Sequence, residues 1–212
     1  MANKENIFFQ TRDVINHCLK YVSGDVGDIG AEAIKYKPII MTRASSYLSF
    51  SGVAGKNIDS VGDFLKLPFP ENNFDTVISA EALEHTKSPK TVIAEMERVL
   101  RPGGFCIITV PFLLSYHGAP NDYFRFTQEG VISLFEDTDL EIVETGSYGK
   151  LFSVIFQIIQ CGYFRRKKFK GQEVVLKFFK KMSNWLDKFV KNENIYGNIY
   201  VVAKNNKQQK SL

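Results

Sequence analysis

The run from Asp63 to Thr127 constrains this chain most, because it lays a strand, a helix and a second strand end to end. Phe74 to Ala80 (FDTVISA) is apolar without alternation, the pattern of a strand buried on both faces. Ser88 to Leu100 then reads as a helix. Ser88 can cap it, Pro89 suits its first turn, and Val92, Ile93, Met96, Val99 and Leu100 line one face. Pro102-Gly103-Gly104 is expected to stop it, and Phe105 to Val110 (FCIITV) is a second buried strand. Two buried strands joined by a helix imply a parallel pair with a right-handed crossover.

The flanking sequence extends this unit. Upstream lie a helix over Ile7–Val22, a strand over Asp25–Gly30, a helix over Ala31–Met41 that Pro38 shortens, and strands at Tyr47–Phe50 and Ile58–Gly62. Downstream come a polar, aromatic loop to Thr127, a helix over Gln128–Phe135, a strand over Leu140–Thr145 and a last strand over Asn198–Ala203. Alternating elements of this kind define an α/β class with a mainly parallel sheet and helices on both faces. With 212 residues, we expect one domain over 1–212, carrying a basic amphipathic helical insertion at about 150–193 before the last strand.

Charge and cysteine usage narrow the function. Ten bases and two acids lie between Tyr163 and Lys191, a local net of +8 against +4 for the whole chain. The remainder is net acidic, so no nucleic-acid footprint covers the protein. Cys18, Cys106 and Cys161 are far apart and form no CxxC pair, so neither a metal site nor a disulfide framework is expected. A reducing, cytoplasmic compartment fits, and the first residues lack a secretory-signal pattern. No apolar run reaches the ~18 residues of a membrane span.

In an open α/β sheet, ligands bind beyond the carboxyl ends of the strands. Those ends fall at Asp28–Ala31, near Ser51, at Asp63, at Ser79–Glu81 and at Pro111–Phe112. The segment from Val61 to Phe112, with Asp63, LPF, FD, LEH and RVLRPGG in this order, resembles the core of class I S-adenosylmethionine-dependent methyltransferases of the type 11-like group. HGAPNDYFRFT resembles a loop of bacterial members linked to glycan biosynthesis. The resemblance spans about Gly24 to Tyr148, with NIYVVAKN matching the family's last strand.

The resemblance implies a Rossmann-like methyltransferase fold with a final antiparallel strand, S-adenosylmethionine as cofactor, and transfer to a hydroxyl of a sugar or other small acceptor. It implies that Asp63 accepts from the adenine amino group, with Phe64 and Leu65 beside it. Asp28, Gly30 and Ala31 would form the first cofactor turn, Ser51 would face the ribose, and Ser79 and Glu81 the methionine part. Glu84 and His85 would open the next helix, near the methyl group. In the loop, His117, Asp122, Tyr123 and Arg125 would face the acceptor, with His117 or His85 as base and Arg125 as a clamp for an anion. The bland alternative is an internal Asp122–Arg125 pair.

Two positions depart from the family. Glu32 stands where a second glycine belongs, and Ser51 where an acid binds the ribose hydroxyls. They support a second reading, a methyltransferase-like binding or scaffold protein without cofactor. The basic segment 163–191, with Val175, Phe178, Phe179, Met182, Leu186, Phe189 and Val190 on one face, suits docking on the sheet, a homo-oligomer contact, or a peripheral anionic membrane surface.

Overall fold

The computed structural model describes residues 8–31, 34–118, 121–164, 169–190 and 194–207. Seven strands form one sheet in the order β3-β2-β1-β4-β5-β7-β6. They are β1 (Asp25–Ile29), β2 (Ser46–Ser51), β3 (Ser60–Val61), β4 (Phe74–Ala80), β5 (Leu100–Pro111), β6 (Leu140–Tyr148) and β7 (Asn198–Asn205). β1 to β5 pair in parallel, and β7 runs antiparallel between β5 and β6. This is the Rossmann-like methyltransferase fold, with the antiparallel last strand that the sequence led us to expect.

Two apolar layers sandwich the sheet. One joins Phe50, Leu83, Val92, Ile93, Met96 and Val99 to the β4, β5 and β7 side chains of the same face. The other joins Val14, Ile15 and Cys18 of α1 (Thr11–Cys18) to Val26, Ile78, Ile107 and Val202. Neighbouring residues of one strand therefore serve opposite cores, which is why β4 and β5 carry no polar alternation.

Several bounds differ from expectation. α1 is shorter than Ile7–Val22 and ends in a 3-10 turn at Leu19–Tyr21. Among the described residues of Ala31–Met41, the helix is α2 (Lys37–Ile40), because Pro38 lacks an N–H and fits the first turn. α3 (Pro89–Val99) ends where expected, but β5 begins at once at Leu100. Gly103, at φ +81°, carries the strand through the segment expected to break it. α4 (Gln128–Ile132) starts under a cap in which Thr127 Oγ1 accepts from the Gly130 N–H at 3.0 Å.

Between β6 and β7 the chain forms α5 (Leu151–Ile159) and α6 (Gln172–Asp187). They are joined partly through residues outside the described set. Asp187 is fully buried and accepts from the N–H groups of Phe152 (2.7 Å) and Ser153 (3.0 Å), so the end of α6 caps the start of α5. This polar contact turns α6 so that Ser183 and Asp187 face inward. The stripe Val174, Phe178, Met182, Trp185 and Phe189 is left exposed. Docking of the expected apolar stripe on the sheet is thus corrected: the buried face of α6 is polar.

Candidate functional site

The carboxyl ends of β1, β2 and β4 enclose a cavity of about 490 Å³ lined by Gly30, Ser51, Gly52, Asp63, Phe64 and His85, among others. Gly30 makes it possible. Its φ is +97°, and a Cβ there would lie 2.2 Å from the Cβ of Ala82. Its N–H and that of Ala31 donate to the Phe50 carbonyl at 2.9 and 3.0 Å, closing β1 onto β2. Ala31 is buried behind this turn. Phe64 packs edge-on to Phe50, with ring centres 5.4 Å apart, and forms an apolar wall. Asp63 is exposed at the rim, and its Oδ1 accepts the Leu65 N–H at 2.9 Å, an Asx turn that fixes the carboxylate. Leu65 itself is exposed. Ser51 is buried and its Oγ accepts weakly from the Val53 N–H at 3.3 Å.

A smaller recess of about 130 Å³ adjoins it, lined by Asp28, Ala31, Lys35, Tyr36, Glu81 and His117, among others. Asp28 is buried and accepts from the Tyr47 hydroxyl. Burial raises its pKa to about 6, against the lowering effect of that hydrogen bond. Glu81 sits at φ +54°, a left-handed conformation uncommon for a side-chain-bearing residue. Its backbone N–H donates to the Thr109 carbonyl, and its carboxylate accepts from Thr11 Oγ1 at 2.8 Å. Burial pushes the Glu81 carboxyl above the usual range. Ser79, expected to line the cofactor, instead lies within the sheet, its Oγ buried without a hydrogen-bond partner among the described residues. The lining positions fall to Ala80 and Glu81, where the chain leaves β4.

His85 and His117 meet at the mouth. Their rings lie 5.0 Å apart at 85°. His85 belongs to a separate 3-10 turn, Leu83–His85, rather than to the next helix. The loop after β5 is stitched to this turn, since the Tyr123 N–H donates to the Glu84 carbonyl at 2.7 Å. Tyr123 exposes its ring, 5.9 Å from Lys87 Nζ, and lies apart from the cavities described. The Glu84 carboxylate, 3.4 Å from His117 Nε2, raises the imidazole's pKa.

Arg125 is turned inward. Nη1 and Nη2 donate to Asp122 Oδ1 and Oδ2 at 2.5 and 2.6 Å. The remaining three N–H groups donate to the carbonyls of Leu114, Phe124 and Ser115. All five donors of the guanidinium are thereby committed, so the substrate clamp expected of Arg125 gives way to the internal pair with Asp122. This pair holds the Asp122 carboxyl down at about 2.

The structure thus brings Asp28, Gly30, Ala31, Ser51, Asp63, Phe64, Glu81, His85 and His117 together at one end of the sheet. Glu32 lies outside the described residues. Sequence reasoning placed Glu84 beside His85 but missed its approach to His117, and it missed Tyr47 as the partner of Asp28 and Thr11 as the partner of Glu81. The Tyr47 contact needs the β1–β2 pairing, in which Val26 stands opposite Tyr47.

The methyltransferase-domain family profile matches residues 34–108. A sterol 24-C-methyltransferase of Gibberella zeae is 45% identical over 62 residues, which are 29% of this chain and 16% of that protein. The chain therefore spans well under two thirds of that relative. Among solved structures, an S-adenosylmethionine dependent methyltransferase from Mesorhizobium loti superposes with a TM-score of 0.60 at 11% identity, covering 92% of this chain and 98% of that one. The [4+2]-cyclase SpnF superposes equally well, TM-score 0.60 at 15% identity, over 91% of this chain and 80% of its own. The class defined is thus the methyltransferase-like fold. A cyclase among the structural neighbours means that function has to be argued from the site.

Proposed function

We propose that this protein is an S-adenosylmethionine-dependent methyltransferase that methylates a hydroxyl of a small, glycan-related acceptor. One observation carries the reading: a cavity at the strand ends has Gly30, Asp63 and Phe64 along its walls and opens onto two histidines. When bound, the cofactor supplies an electrophilic methyl group on a sulfonium. The residues present fit it. Phe64 offers a flat wall for the adenine, and Asp63 keeps one carboxylate oxygen for the adenine amino group. Ser51 offers a single hydroxyl to the ribose. Glu81 and Asp28 place carboxyl groups on the side where the cationic methionine part would lie.

The acceptor side falls to the histidines. His85 Nδ1 lies 2.5 Å from the Asn121 carbonyl, an acceptor that can only pair with a protonated nitrogen. His85 Nε2 is then free to take a proton from an acceptor hydroxyl. The glycan class of the acceptor rests on the resemblance of the loop after β5.

Ser51, which lacks the charged acceptor of a carboxylate, supports the second reading, a binding protein without cofactor. Calorimetry with S-adenosylmethionine and S-adenosylhomocysteine separates the two. Ligand at 100 times its Kd stabilises a fold by about 2.7 kcal/mol, so a melting shift accompanies binding. Absence of heat and of shift at millimolar ligand would leave the scaffold reading.

We also propose that the exposed face of α6 meets an anionic membrane surface. Val174, Phe178, Met182, Trp185 and Phe189 are exposed along one side, with Lys177, Lys181 and Lys188 beside them. No helix among the described residues is long and apolar enough to cross a membrane.

A further inference from the structure

Glu84 presents a physical problem. Its side chain is fully buried, and neither carboxylate oxygen has a hydrogen-bond partner among the described residues. A buried carboxylate in that condition costs several kcal/mol unless something of opposite charge meets it. Its nearest basic neighbours are the Nε2 atoms of two histidines, His117 at 3.4 Å and His85 at 3.9 Å from Oε1. One ligand atom from each of the three residues lies within 4.8 Å of the others.

The outer nitrogens of both rings are held by backbone carbonyls. His85 Nδ1 faces the Asn121 carbonyl at 2.5 Å, and His117 Nδ1 faces the Ser115 carbonyl at 3.1 Å. Arg125 Nη2 also approaches His117 Nδ1, at 3.3 Å, but both its hydrogens are committed to Asp122 and Ser115. The proton of each neutral imidazole therefore sits on Nδ1, and the Nε2 lone pairs are directed at Glu84. An imidazole whose far N–H is fixed by a carbonyl is the usual support of a metal-ligating histidine. Ligand atoms bound tetrahedrally at ~2.0–2.1 Å from zinc stand about 3.3 Å apart; the His117–Glu84 separation of 3.4 Å matches this, and the 3.9 Å to His85 closes with a small side-chain rotation. Two imidazoles and one carboxylate leave a coordination position open toward the cavity mouth, which His85 and His117 line.

We infer that Glu84, His85 and His117 form a binding site for a divalent transition-metal ion, zinc or a chemically similar cation. No compact metal motif announces it in the sequence, because the ligands are split between a 3-10 turn and a loop 32 residues further on. The ion would neutralise the buried carboxylate and occupy the Nε2 lone pair of His85, so in the metal-bound chain it replaces that nitrogen as the group acting on the acceptor hydroxyl. Its open position faces the place where an acceptor hydroxyl would lie, and a Lewis acid there polarises that oxygen. This use of the ion rests on the methyltransferase reading; the site itself does not.

The test uses the full chain, stripped with a chelator and titrated with Co²⁺ by visible absorption and with Zn²⁺ by calorimetry. Saturable binding at one equivalent is expected, with the ligand-field bands of nitrogen and oxygen donors. His85→Ala, His117→Ala and Glu84→Gln should each weaken it by more than ~100-fold, beyond the loss seen when a supporting group alone is removed. His17→Ala, which removes an imidazole outside the cluster, should leave it unchanged. Circular dichroism of each variant separates lost ligand from lost fold, and His117, the most exposed of the three side chains, gives the variant least dependent on packing. No saturable binding to the wild type, or equal binding in folded His85→Ala and Glu84→Gln, would overturn the site. S-adenosylmethionine binding by the metal-free chain is measured in parallel. Cofactor binding without metal binding overturns the site and leaves methyl transfer standing. Metal binding without cofactor binding upholds the site and removes its proposed use.

Discussion

Arg125 and Asp122 meet through two parallel N–H···O contacts of 2.5 and 2.6 Å, and the same guanidinium ties down three loop carbonyls. The Asp122 side chain is almost wholly buried, so removing its partner leaves a charge without compensation. Arg125→Ala should destabilise the fold by about 3 kcal/mol, read as a lower urea midpoint. Arg125→Lys keeps the charge but lacks the planar fork, and should recover less than half of that. Full recovery with lysine would mean that charge alone matters here.

Gly30 occupies a left-handed backbone position against Ala82. Gly30→Ala should cost about 1–3 kcal/mol, from backbone strain together with the clash at 2.2 Å. Because Ala82 also lines the strand-end cavity, the variant should lose S-adenosylmethionine affinity beyond its loss of stability. Thermal melts with and without the ligand check both effects. An unchanged ligand-induced shift would place the binding site elsewhere.

Asp63→Ala tests the other end of the same cavity. Loss of a buried or ligand-facing acceptor typically costs ~1–3 kcal/mol, a tenfold to hundredfold fall in affinity. The Asx turn to Leu65 is lost as well, so Asp63→Asn is the useful companion. It keeps the turn and reverses the hydrogen-bonding character toward an amino group. Calorimetry should find both variants weak, and a tight Asp63→Asn would show that the turn, rather than the charge, is what the site needs.

The fold was legible where one physical effect dominates. Phe74–Ala80 was read to the residue because an apolar run bounded by polar turns admits little else. Asn198 was read as the start of the last strand for the same reason, though that strand runs on to Asn205. Around Pro102-Gly103-Gly104 the local signal pointed to a stop, yet β4 pairs with Leu100 and again from Phe105 across a register shift, so the strand resumes on the far side. The strand-end residues were legible because topology places them together whatever their side chains do. The place of Glu84 beside His85 was legible, but its burial against His117 was not, since that contact comes from a loop distant in sequence. The face of α6 was misread because Asp187, a charged residue by sequence, is buried as a cap on α5.

Glu144 supplies a pH dependence. Burial alone would raise its pKa, but hydrogen bonds from Lys20, Tyr21, His17 and Tyr200 outweigh that and hold it at about 2. A carboxyl depressed on folding adds stability above its unfolded pKa, and that stability is lost as pH falls toward the folded value. The window here runs from about 4.5, the ordinary glutamate value, down to about 2. After allowance for solvent screening at this partly exposed cluster, the contribution is about 1–2 kcal/mol. Glu144→Gln should be less stable than wild type at pH 7, and the gap should close between pH 5 and 2. A gap that stays constant with pH would show that packing, not charge, is what Glu144 supplies.

The exposed stripe on α6 makes the last prediction. Phe178, Trp185 and Phe189 each keep more than half of their surface in water. Such a stripe needs a covering surface, and the lysines beside it favour an anionic one. Each basic residue near a charged bilayer adds about 1 kcal/mol, and the attraction falls with salt. The protein should therefore sediment with phosphatidylserine-containing vesicles at low salt, less so at high salt, and weakly with neutral vesicles. Phe178→Ser combined with Trp185→Ser should abolish sedimentation without lowering the melting temperature, because neither side chain is packed in the core. Charge reversal at Lys177 and Lys181 should remove the salt dependence first. If wild-type protein instead stays in the supernatant and elutes as a dimer that the double serine variant disrupts, the stripe joins two copies of the chain and the membrane reading fails.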